Sequence, residues 1–230
     1  MTTIGSVAAN FGRDLEENYR TIAHYTEIAR ESGVDFLVFP EAAIGGYLSS
    51  LGNHGDTTPT SRSLPPAIRL DGPEIARVQE IIGDLVVAIG FCELDDDGVS
   101  RYNAAAVLDG IIASLSAWPA ARTATAANLQ EDRWTYRFNL FDSARALDNQ
   151  VFWVASNQAG TFGSLRYVGN AKIVDPGGNV LATTTLDEGL AVAEVDVAGT
   201  FAAMRAGMFH LRDRRPDVYG SLVEVSDRAD

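Results

Sequence analysis

A short apolar run that ends in a proline and a glutamate constrains the fold of this chain more than any other stretch. Residues 36–39 are continuously apolar, as in a strand that is buried on both faces. Pro40 ends the strand because it has no N–H to donate to a neighbouring strand. Glu41 is therefore predicted at the carboxyl end of a buried strand, where α/β proteins place their chemistry. A helix-capping glutamate in an ordinary loop is the alternative.

The residues before this run predict a parallel β-α-β unit. Residues 3–9 are typical of a strand, and residues 14–31 carry apolar side chains at helical spacing along one stripe. Gly33 ends the helix, and the strand at 36–39 follows it. A strand, a helix and a second strand in this order build a parallel pair.

The rest of the chain predicts further helices and mainly antiparallel strands. Residues 48–71 are rich in Ser, Thr, Gly and Pro, and we assign this long irregular segment to the rim of a pocket. Helices are expected at 73–82 and 129–147, and strands at 85–91, 102–108, 111–115, 151–155, 167–174, 180–184 and 190–195. We find no repeat and no linker, so residues 1–230 are predicted to form a single domain.

The composition limits which classes of partner are expected for the chain. The 230 residues carry a formal net charge of −13, which argues against a nucleic-acid surface because such a surface needs clustered Lys and Arg. A small neutral or cationic molecule, or another protein, is the expected partner. No apolar run is long enough to span a membrane, and we expect a cytoplasmic protein.

Two residue types occur once each. Cys92 is the single cysteine, and Lys172 is the one lysine among 18 basic residues. A lone cysteine excludes an intrachain disulfide, and three scattered histidines without ligand spacing predict no metal site. We expect no cofactor. Any mechanism that needs a thiol and an ammonium group has one candidate for each.

Eight segments in this order resemble the carbon–nitrogen hydrolase family of nitrilases, amidases and carbamoylases. They are residues 14–18 (DLEEN), Phe39-Pro-Glu41 with Gly46-Tyr47, residues 88–93 (AIGFCE) with Tyr102-Asn103, and residues 116–119 (SAWP), 144–150 (ARALDNQ), 156–160 (SNQAG), 169–177 (GNAKIVDPG) and 212–219 (RDRRPDVY). The resemblance implies an α-β-β-α sandwich that pairs through its outer helices into a longer α-β-β-α-α-β-β-α homodimer. It also implies that the tail, residues 211–230, lies at the dimer contact.

The resemblance implies a catalytic Glu, Lys and Cys, of which this chain matches the first. The family uses the glutamate as general base, the lysine to stabilise the oxyanion, and the cysteine as nucleophile. Glu41 matches the glutamate. The family places its lysine and cysteine between the Tyr-Asn hairpin and the segment that residues 116–119 resemble, but no Lys or Cys lies between Ala104 and Trp118. The interval that would carry both is absent.

The single thiol and the single ammonium group are predicted to be structural. Cys92 lies in a predicted strand, where a small buried thiol is expected, and Lys172 lies in a predicted hairpin, where an exposed strand lysine is expected. Neither should reach Glu41. A hydrolase site relocated to Cys92 and Lys172 is the alternative.

Several side chains are candidates for the pocket around Glu41. We expect Tyr47, His54, Asn103 and Trp118 to bind substrate. Trp134, Phe138 and Phe141 are assigned to core packing, and an inward Arg145 is expected to pair with Asp142 or Glu41. His24 lies on the first helix, one position from its apolar stripe, and is expected to be a boundary residue and not a base.

The function hypothesis is a diverged family member that retains a Glu41-centred pocket for an amide-, nitrile- or carbamoyl-like small molecule. Ordinary thiol hydrolysis would be lost or severely impaired, which leaves binding, or acid–base chemistry such as an elimination or cyclisation of an activated substrate. A non-catalytic partner subunit of an active homologue is one alternative. Removal of the interval from a longer natural sequence, by splicing or deliberate deletion, is another.

Overall fold

The computed structural model describes residues 1–47, 65–94, 101–102, 107–108, 111–121 and 128–207. The chain divides into two units, residues 1–195 and 196–230. The first unit contains helices α1 (Leu15–Glu31), α2 (Pro73–Ile82) and α3 (Arg133–Asn149), and the second contains α4 (Val197–Gly207). The strands are β1 (Thr2–Ala9), β2 (Phe36–Val38), β3 (Val86–Ala88), β4 (Glu93–Leu94), β5 (Arg101–Tyr102), β6 (Val107–Leu108), β7 (Ile111–Ser116), β8 (Phe152–Gln158), β9 (Thr161–Phe162), β10 (Leu165–Arg166), β11 (Lys172–Val174), β12 (Val180–Thr183) and β13 (Gly189–Val195).

The main sheet has two halves that join at the ends of two parallel strands. In one half β1 pairs with antiparallel β13 and with parallel β2, and β2 pairs with parallel β3. In the other half β8 pairs with parallel β7 and antiparallel β11, which pairs in turn with β12. The halves join where Ala8 and Ala9 pair with Asn157 and Gln158. The carboxyl ends of the parallel strands β1, β2, β7 and β8 therefore lie at one edge of the sheet. Open α/β sheets bind their ligands at such an edge.

The predicted β-α-β opening is confirmed by β1, α1 and β2. Asp14 caps α1, since its side chain accepts hydrogen bonds from the N–H groups of Glu16 and Glu17. The buried face of α1 packs with α2 against one half of the sheet, in a cluster that includes Tyr19, Ile22, Tyr25, Ala29, Ile75, Val78, Leu37 and Phe39. This helix pair forms one outer layer.

Helix α3 covers the other half of the sheet. Its buried residues are Thr135, Phe138, Asp142 and Ala146, and Phe138 packs with residues of β8 and of the loop before α3. The assignment of Trp134 and Phe141 to the core is wrong, because Trp134 is half-buried and Phe141 is 39% exposed. Helices on both outer faces of the strands give the α-β-β-α arrangement, so the predicted fold class is confirmed.

Strand β7, which ends at Ser116, follows its hairpin partner β6 directly in the chain. Val107 pairs with Ile112 and Leu108 with Ile111, so only residues 109–110 separate β6 from β7. The predicted strand at 167–174 is shorter than expected, because Gly169 and Asn170 have positive φ and β11 begins at Lys172. The predicted rim segment at 48–71 lies mostly outside the described residues, and the tail at 211–230 lies entirely outside them. The single-domain assignment and the dimer contact stay predictions.

Among the described residues, no helix combines the length and the apolar character that a membrane crossing requires.

Candidate active site

A cavity of about 390 Å³ opens at the shared carboxyl edge of β2 and β7. It is lined by Glu41, Tyr47, residues 116–119, Trp134, Arg137 and Phe141. Its volume is at the small end of the range for small-molecule sites. The loop after β2, the loop after β7 and the first half of α3 therefore converge on a space for a small ligand.

Backbone contacts on two sides fix Glu41. Gly90 packs against it so closely that a Cβ at position 90 would lie 2.7 Å from the Glu41 Cα atom. The side-chain amide of Gln158 donates to the Glu41 carbonyl oxygen at 3.0 Å. The Ala117 N–H donates to the Glu41 Oε2 atom, also at 3.0 Å. The carboxylate is thus ordered at the cavity wall with a backbone donor on one oxygen.

Three consecutive polar side chains at the end of β8 connect the two loops that line the cavity. Ser156 donates to the Phe39 carbonyl oxygen at 2.7 Å, ahead of Glu41. Asn157 accepts from the Trp118 N–H at 2.7 Å, and Gln158 accepts from the Phe11 N–H at 2.9 Å. All three are fully buried. The segment at 156–160 is therefore a positioning element, a role that the sequence pattern alone did not indicate.

Two tyrosines lie in the electrostatic field of Glu41. Burial raises the pKa of Tyr47, and the negative charge of Glu41 raises it further. Burial also raises the pKa of Tyr167, with smaller contributions from Tyr47 and Glu41. Both phenols therefore keep their protons at neutral pH. Tyr47 lines the cavity, so its hydroxyl is available there as a hydrogen-bond donor.

Aromatic side chains form one wall of the cavity. The Trp118 ring lies 6.3 Å from the Trp134 ring and 6.2 Å from the Phe141 ring, both in edge-to-face geometry. The Trp118 indole N–H donates to the Trp134 carbonyl oxygen at 3.0 Å, which fixes the orientation of the ring. The guanidinium group of Arg145 stacks over Phe141 at 5.4 Å, and over Trp153 at the same distance. We call Trp118, Trp134 and Phe141 the aromatic wall.

Arg137 is a charged cavity residue that the sequence reasoning missed, and Trp134 and Phe141 were missed as cavity residues as well. It lies on α3 between Trp134 and Phe141, and it is exposed. A spacing of three and four residues places Trp134, Arg137 and Phe141 on one face of the helix. That spacing is visible in the sequence, but it does not say which face meets a cavity.

The structure brings three of the five predicted site residues together. Glu41, Tyr47 and Trp118 line the same cavity, whereas His54 and Asn103 lie outside the described residues. His24 is exposed on α1 against the Tyr25 ring, as expected for a boundary residue. No group of His, Cys, Asp and Glu side chains that could hold a metal ion occurs in the described parts of the chain.

The prediction of an exposed Lys172 is wrong. Its side chain is 3% exposed, and its Nζ atom lies 2.6 Å from the Asp142 Oδ2 atom. It also lies 4.0 Å from the centre of the Phe138 ring. The reason is that β11 is an inner strand between β8 and β12, and that α3 covers it. Burial lowers the pKa of Lys172, against the opposing effect of the Asp142 charge.

The ion pair of Lys172 also corrects the prediction for Arg145. The Asp142 carboxylate pairs with the Lys172 ammonium group. It also accepts a hydrogen bond from the indole N–H of Trp153 at 2.9 Å. Arg145 is exposed and stacks on aromatic rings instead of pointing inward. Its positive charge still acts on Asp142, since it lowers the pKa of that carboxyl slightly against the larger effect of burial.

Cys92 occupies a connection between strands. It follows Phe91, which forms a bridge with Ile44, and precedes β4. The Cys92 carbonyl oxygen accepts from the Ile68 N–H at 2.9 Å, and the residue is half-buried instead of fully buried as predicted. The described residues that line the cavity include neither Cys92 nor Lys172.

Comparisons with known proteins agree with this fold and this residue order. The model of the carbon-nitrogen hydrolase family matches residues 3–114 and 120–204. Deaminated glutathione amidase from Rattus norvegicus is 36% identical over 84 residues, which are 36% of this chain and 25% of that protein. The 2-oxoglutaramate amidase of Bacillus subtilis is 37% identical over 76 residues, which are 33% of this chain and 29% of that protein. The matched stretch thus spans about a quarter of the length of these curated relatives.

Solved structures with low sequence identity share the fold over nearly the whole chain. A carbon-nitrogen hydrolase from Helicobacter pylori superposes with a TM-score of 0.69 at 15% identity and covers 97% of this chain and 99% of that chain. A CN-hydrolase superfamily protein from Xanthomonas campestris gives 0.67 at 17% identity and covers 93% and 97%. An amidase from Nesterenkonia sp., solved with acrylamide added to its active-site cysteine, gives 0.62 at 15% identity and covers 97% and 100%. On the family match over most of its length, this chain belongs to the carbon-nitrogen hydrolase family.

Proposed function

We propose that this chain binds an amide-, nitrile- or carbamoyl-like small molecule at Glu41, and that it has lost ordinary cysteine-dependent hydrolysis. The observation that carries the proposal is the hydrogen bond from the Ala117 N–H to the Glu41 Oε2 atom, at the wall of a small-molecule cavity. An ordered carboxylate of this kind accepts N–H donors from an amide or carbamoyl group. The relatives named above are amidases, which supports a ligand of this class.

The environment of the single lysine supports the loss of hydrolysis. The family resemblance implies a lysine that stabilises the developing oxyanion. The Lys172 ammonium is instead committed to Asp142, buried between α3 and β11. Removing it from that pair would leave Asp142 buried without a counter-charge, at a cost of several kcal/mol. Lys172 therefore has no role at the Glu41 carboxylate.

The residues of this part of the chain support the same conclusion. The resemblance implies that the family's Lys and Cys lie between the Tyr-Asn hairpin and the segment that residues 116–119 resemble, and neither residue type occurs between Ala104 and Trp118. The one remaining thiol, Cys92, is on a different connection and does not line the cavity. A nucleophilic attack on a bound carbonyl carbon thus has no thiol available from the described cavity residues.

Chemistry at this site would depend on acid and base groups alone. Glu41 can accept a proton, and the Tyr47 phenol, which stays protonated at neutral pH, can donate a hydrogen bond. General acid–base assistance supplies about 10²–10⁴-fold of rate. That range suits an activated substrate that eliminates or cyclises, whereas an unactivated amide would remain intact.

Binding and turnover can be tested together. We expect benzamide, propionamide and N-carbamoylglycine to give calorimetric binding that Glu41→Gln weakens at least tenfold. Cys92→Ala and the control Glu93→Gln, on β4 outside the cavity, should leave binding unchanged. Ammonia release should stay at the level of the uncatalysed reaction. Turnover that Cys92→Ala abolishes would refute the loss of hydrolysis, and absence of binding by all three compounds would refute the ligand class.

We also propose that a second copy of the chain, or an active homologue, packs on the outer face of α3. The face carries Tyr136 (64% exposed), Leu140 (47%) and Leu147 (41%) at helical spacing, opposite the buried stripe. Exposed apolar side chains aligned along a helix favour a protein contact. This arrangement serves both the homodimer and the partner-subunit hypothesis, and co-purification with a longer homologue would favour the second.

A further inference from the structure

We propose that Arg137 and the aromatic wall make the cavity selective for aromatic amides that carry a carboxylate on the opposite side of the ring. The inference rests on the proposed function, because it assumes that the amide end of the ligand binds at Glu41. It adds two features of the ligand, a carboxylate at the end away from the amide and an aromatic ring between them.

The lining of the cavity carries two opposite charges. Glu41 and Arg137 are the charged side chains among its described lining residues, and they carry opposite signs. No carboxylate in the described residues forms an ion pair with Arg137. A guanidinium group offers a planar fork of N–H donors that matches a carboxylate with two parallel hydrogen bonds. Arg137 is thus available to bind an anionic group of the ligand.

The Glu41 end sets the direction in which the ligand lies. An ionised carboxylate only accepts hydrogen bonds, so it binds an amide NH₂ and repels a second carboxylate. One of its oxygens already accepts from the Ala117 N–H, which fixes the group in place. A ligand with an amide at one end and a carboxylate at the other therefore fits with the amide at Glu41 and the anion at Arg137.

The aromatic wall gives the cavity a flat apolar surface. Trp118 cannot turn to offer its indole N–H to a ligand, since that donor is bound to the Trp134 carbonyl oxygen. The guanidinium group of Arg145 stacks over the Phe141 ring at 5.4 Å. Rigid aromatic side chains favour flat ligands, because ring contacts contribute beyond the area they bury. A benzene ring suits this wall better than a flexible aliphatic chain.

The test uses three probes that separate the ends from the body. The first is 4-carbamoylbenzoate, which carries an aromatic amide and an opposite carboxylate. The second is benzamide, which lacks the carboxylate, and the third is succinamate, which lacks the ring. Affinities are measured by calorimetry and by quenching of tryptophan fluorescence, because Trp118 and Trp134 line the cavity. We expect 4-carbamoylbenzoate to bind at least tenfold more tightly than either of the others.

Matched arginine variants assign the preference to one residue. Arg137→Ala should remove the preference for 4-carbamoylbenzoate over benzamide, so that the two compounds bind with equal affinity. Arg133→Ala is the control, because Arg133 is an exposed arginine on the same helix outside the cavity. It should leave all three affinities unchanged. Arg137→Lys should restore part of the preference, since it keeps the charge and loses the fork.

The outcomes distinguish the inference from the function on which it rests. Benzamide that binds in a Glu41-dependent manner, with no gain from the added carboxylate or a gain that survives Arg137→Ala, overturns the role of Arg137 alone. Succinamate that binds as tightly as 4-carbamoylbenzoate overturns the role of the aromatic wall. Failure of every amide to bind overturns the proposed function itself.

Discussion

The Nζ atom of Lys172 lies 2.6 Å from the Oδ2 atom of Asp142, and both side chains are almost fully buried. Lys172 is on β11 and Asp142 is on α3, so the pair connects the helix to the sheet. Phe141, the residue before Asp142, belongs to the aromatic wall. The ion pair therefore fixes the rotation of α3 that turns Trp134, Arg137 and Phe141 toward the cavity.

Replacing one partner of this pair should destabilise the fold strongly. Lys172→Met leaves the Asp142 carboxylate buried without a counter-charge, and we expect the free energy of unfolding to fall by about 3–5 kcal/mol. Urea denaturation measures it. The control is the double variant Asp142→Leu with Lys172→Met, in which both charges are absent. Its free energy of unfolding should equal or exceed that of the natural chain, since a well-packed apolar pair replaces a costly buried ion pair.

The two variants together decide what the pair does. If the single and the double variant lose the same stability, the charges are not coupled and the packing of the lysine stem is what matters. A double variant that is stable but has a weaker affinity for amides would support the positioning role. A double variant with unchanged affinity would contradict it.

The same pair predicts a pH dependence. Burial raises the pKa of Asp142, so its contribution to stability is complete below about pH 4 and is lost as the pH rises through its folded pKa. Burial lowers the pKa of Lys172, so its contribution is complete above about pH 10.5 and is lost as the pH falls through its folded pKa. The natural chain should therefore be least stable, relative to the double variant, between these two pKa values.

Unfolding curves of both proteins at about pH 4, 7 and 10 measure this difference. Other ionisable groups titrate in both proteins, and their effects cancel in the comparison. A difference in the free energy of unfolding that stays constant over the three pH values would contradict the prediction.

Gly90 is predicted to set the position of the Glu41 carboxylate. A Cβ at this position would lie 2.7 Å from the Glu41 Cα, 2.8 Å from the Ala42 N and 2.9 Å from the Pro40 O, all of which are backbone atoms. Gly90→Ala should therefore displace Glu41, cost about 1–3 kcal/mol of stability and weaken amide binding. Gly189→Ala is the matched control, because its Cβ would meet Thr184 at an ordinary 3.6 Å. Equal effects of the two variants in denaturation and calorimetry would refute this role.

The parts of the fold that sequence could predict are those set by local pattern. The helical spacing in α1 and the apolar run before Pro40 predict a β-α-β unit with Glu41 at its carboxyl end, and each of these signals lies within a few neighbouring residues. The environment of Lys172 could not be predicted in this way. Its partner Asp142 is 30 residues away, and its burial depends on β11 lying between two other strands.

The aromatic wall shows a second limit of predicting buried faces from the sequence pattern. Trp134 and Phe141 look like core residues because aromatic side chains at helical spacing usually pack inward. The stripe that packs inward is the one that includes Thr135 and Asp142, which are polar. Because the ion pair is buried, the polar stripe of α3 faces the sheet, and Trp134 and Phe141 face the cavity. A sequence pattern cannot reveal this when a polar pair occupies the core.

The outer face of α3 leads to a prediction about assembly. If a second copy packs on Tyr136, Leu140 and Leu147, a charge at the centre of this stripe should separate the copies, because a desolvated charge without a partner is costly. We expect Leu140→Arg to convert a dimer into a monomer, as measured by sedimentation velocity or light scattering. Val180→Arg is the control, since Val180 is equally exposed, at 48%, but lies on β12. A natural chain that is monomeric at high concentration, or a dimer that tolerates Leu140→Arg, would show that this face of α3 is not the contact.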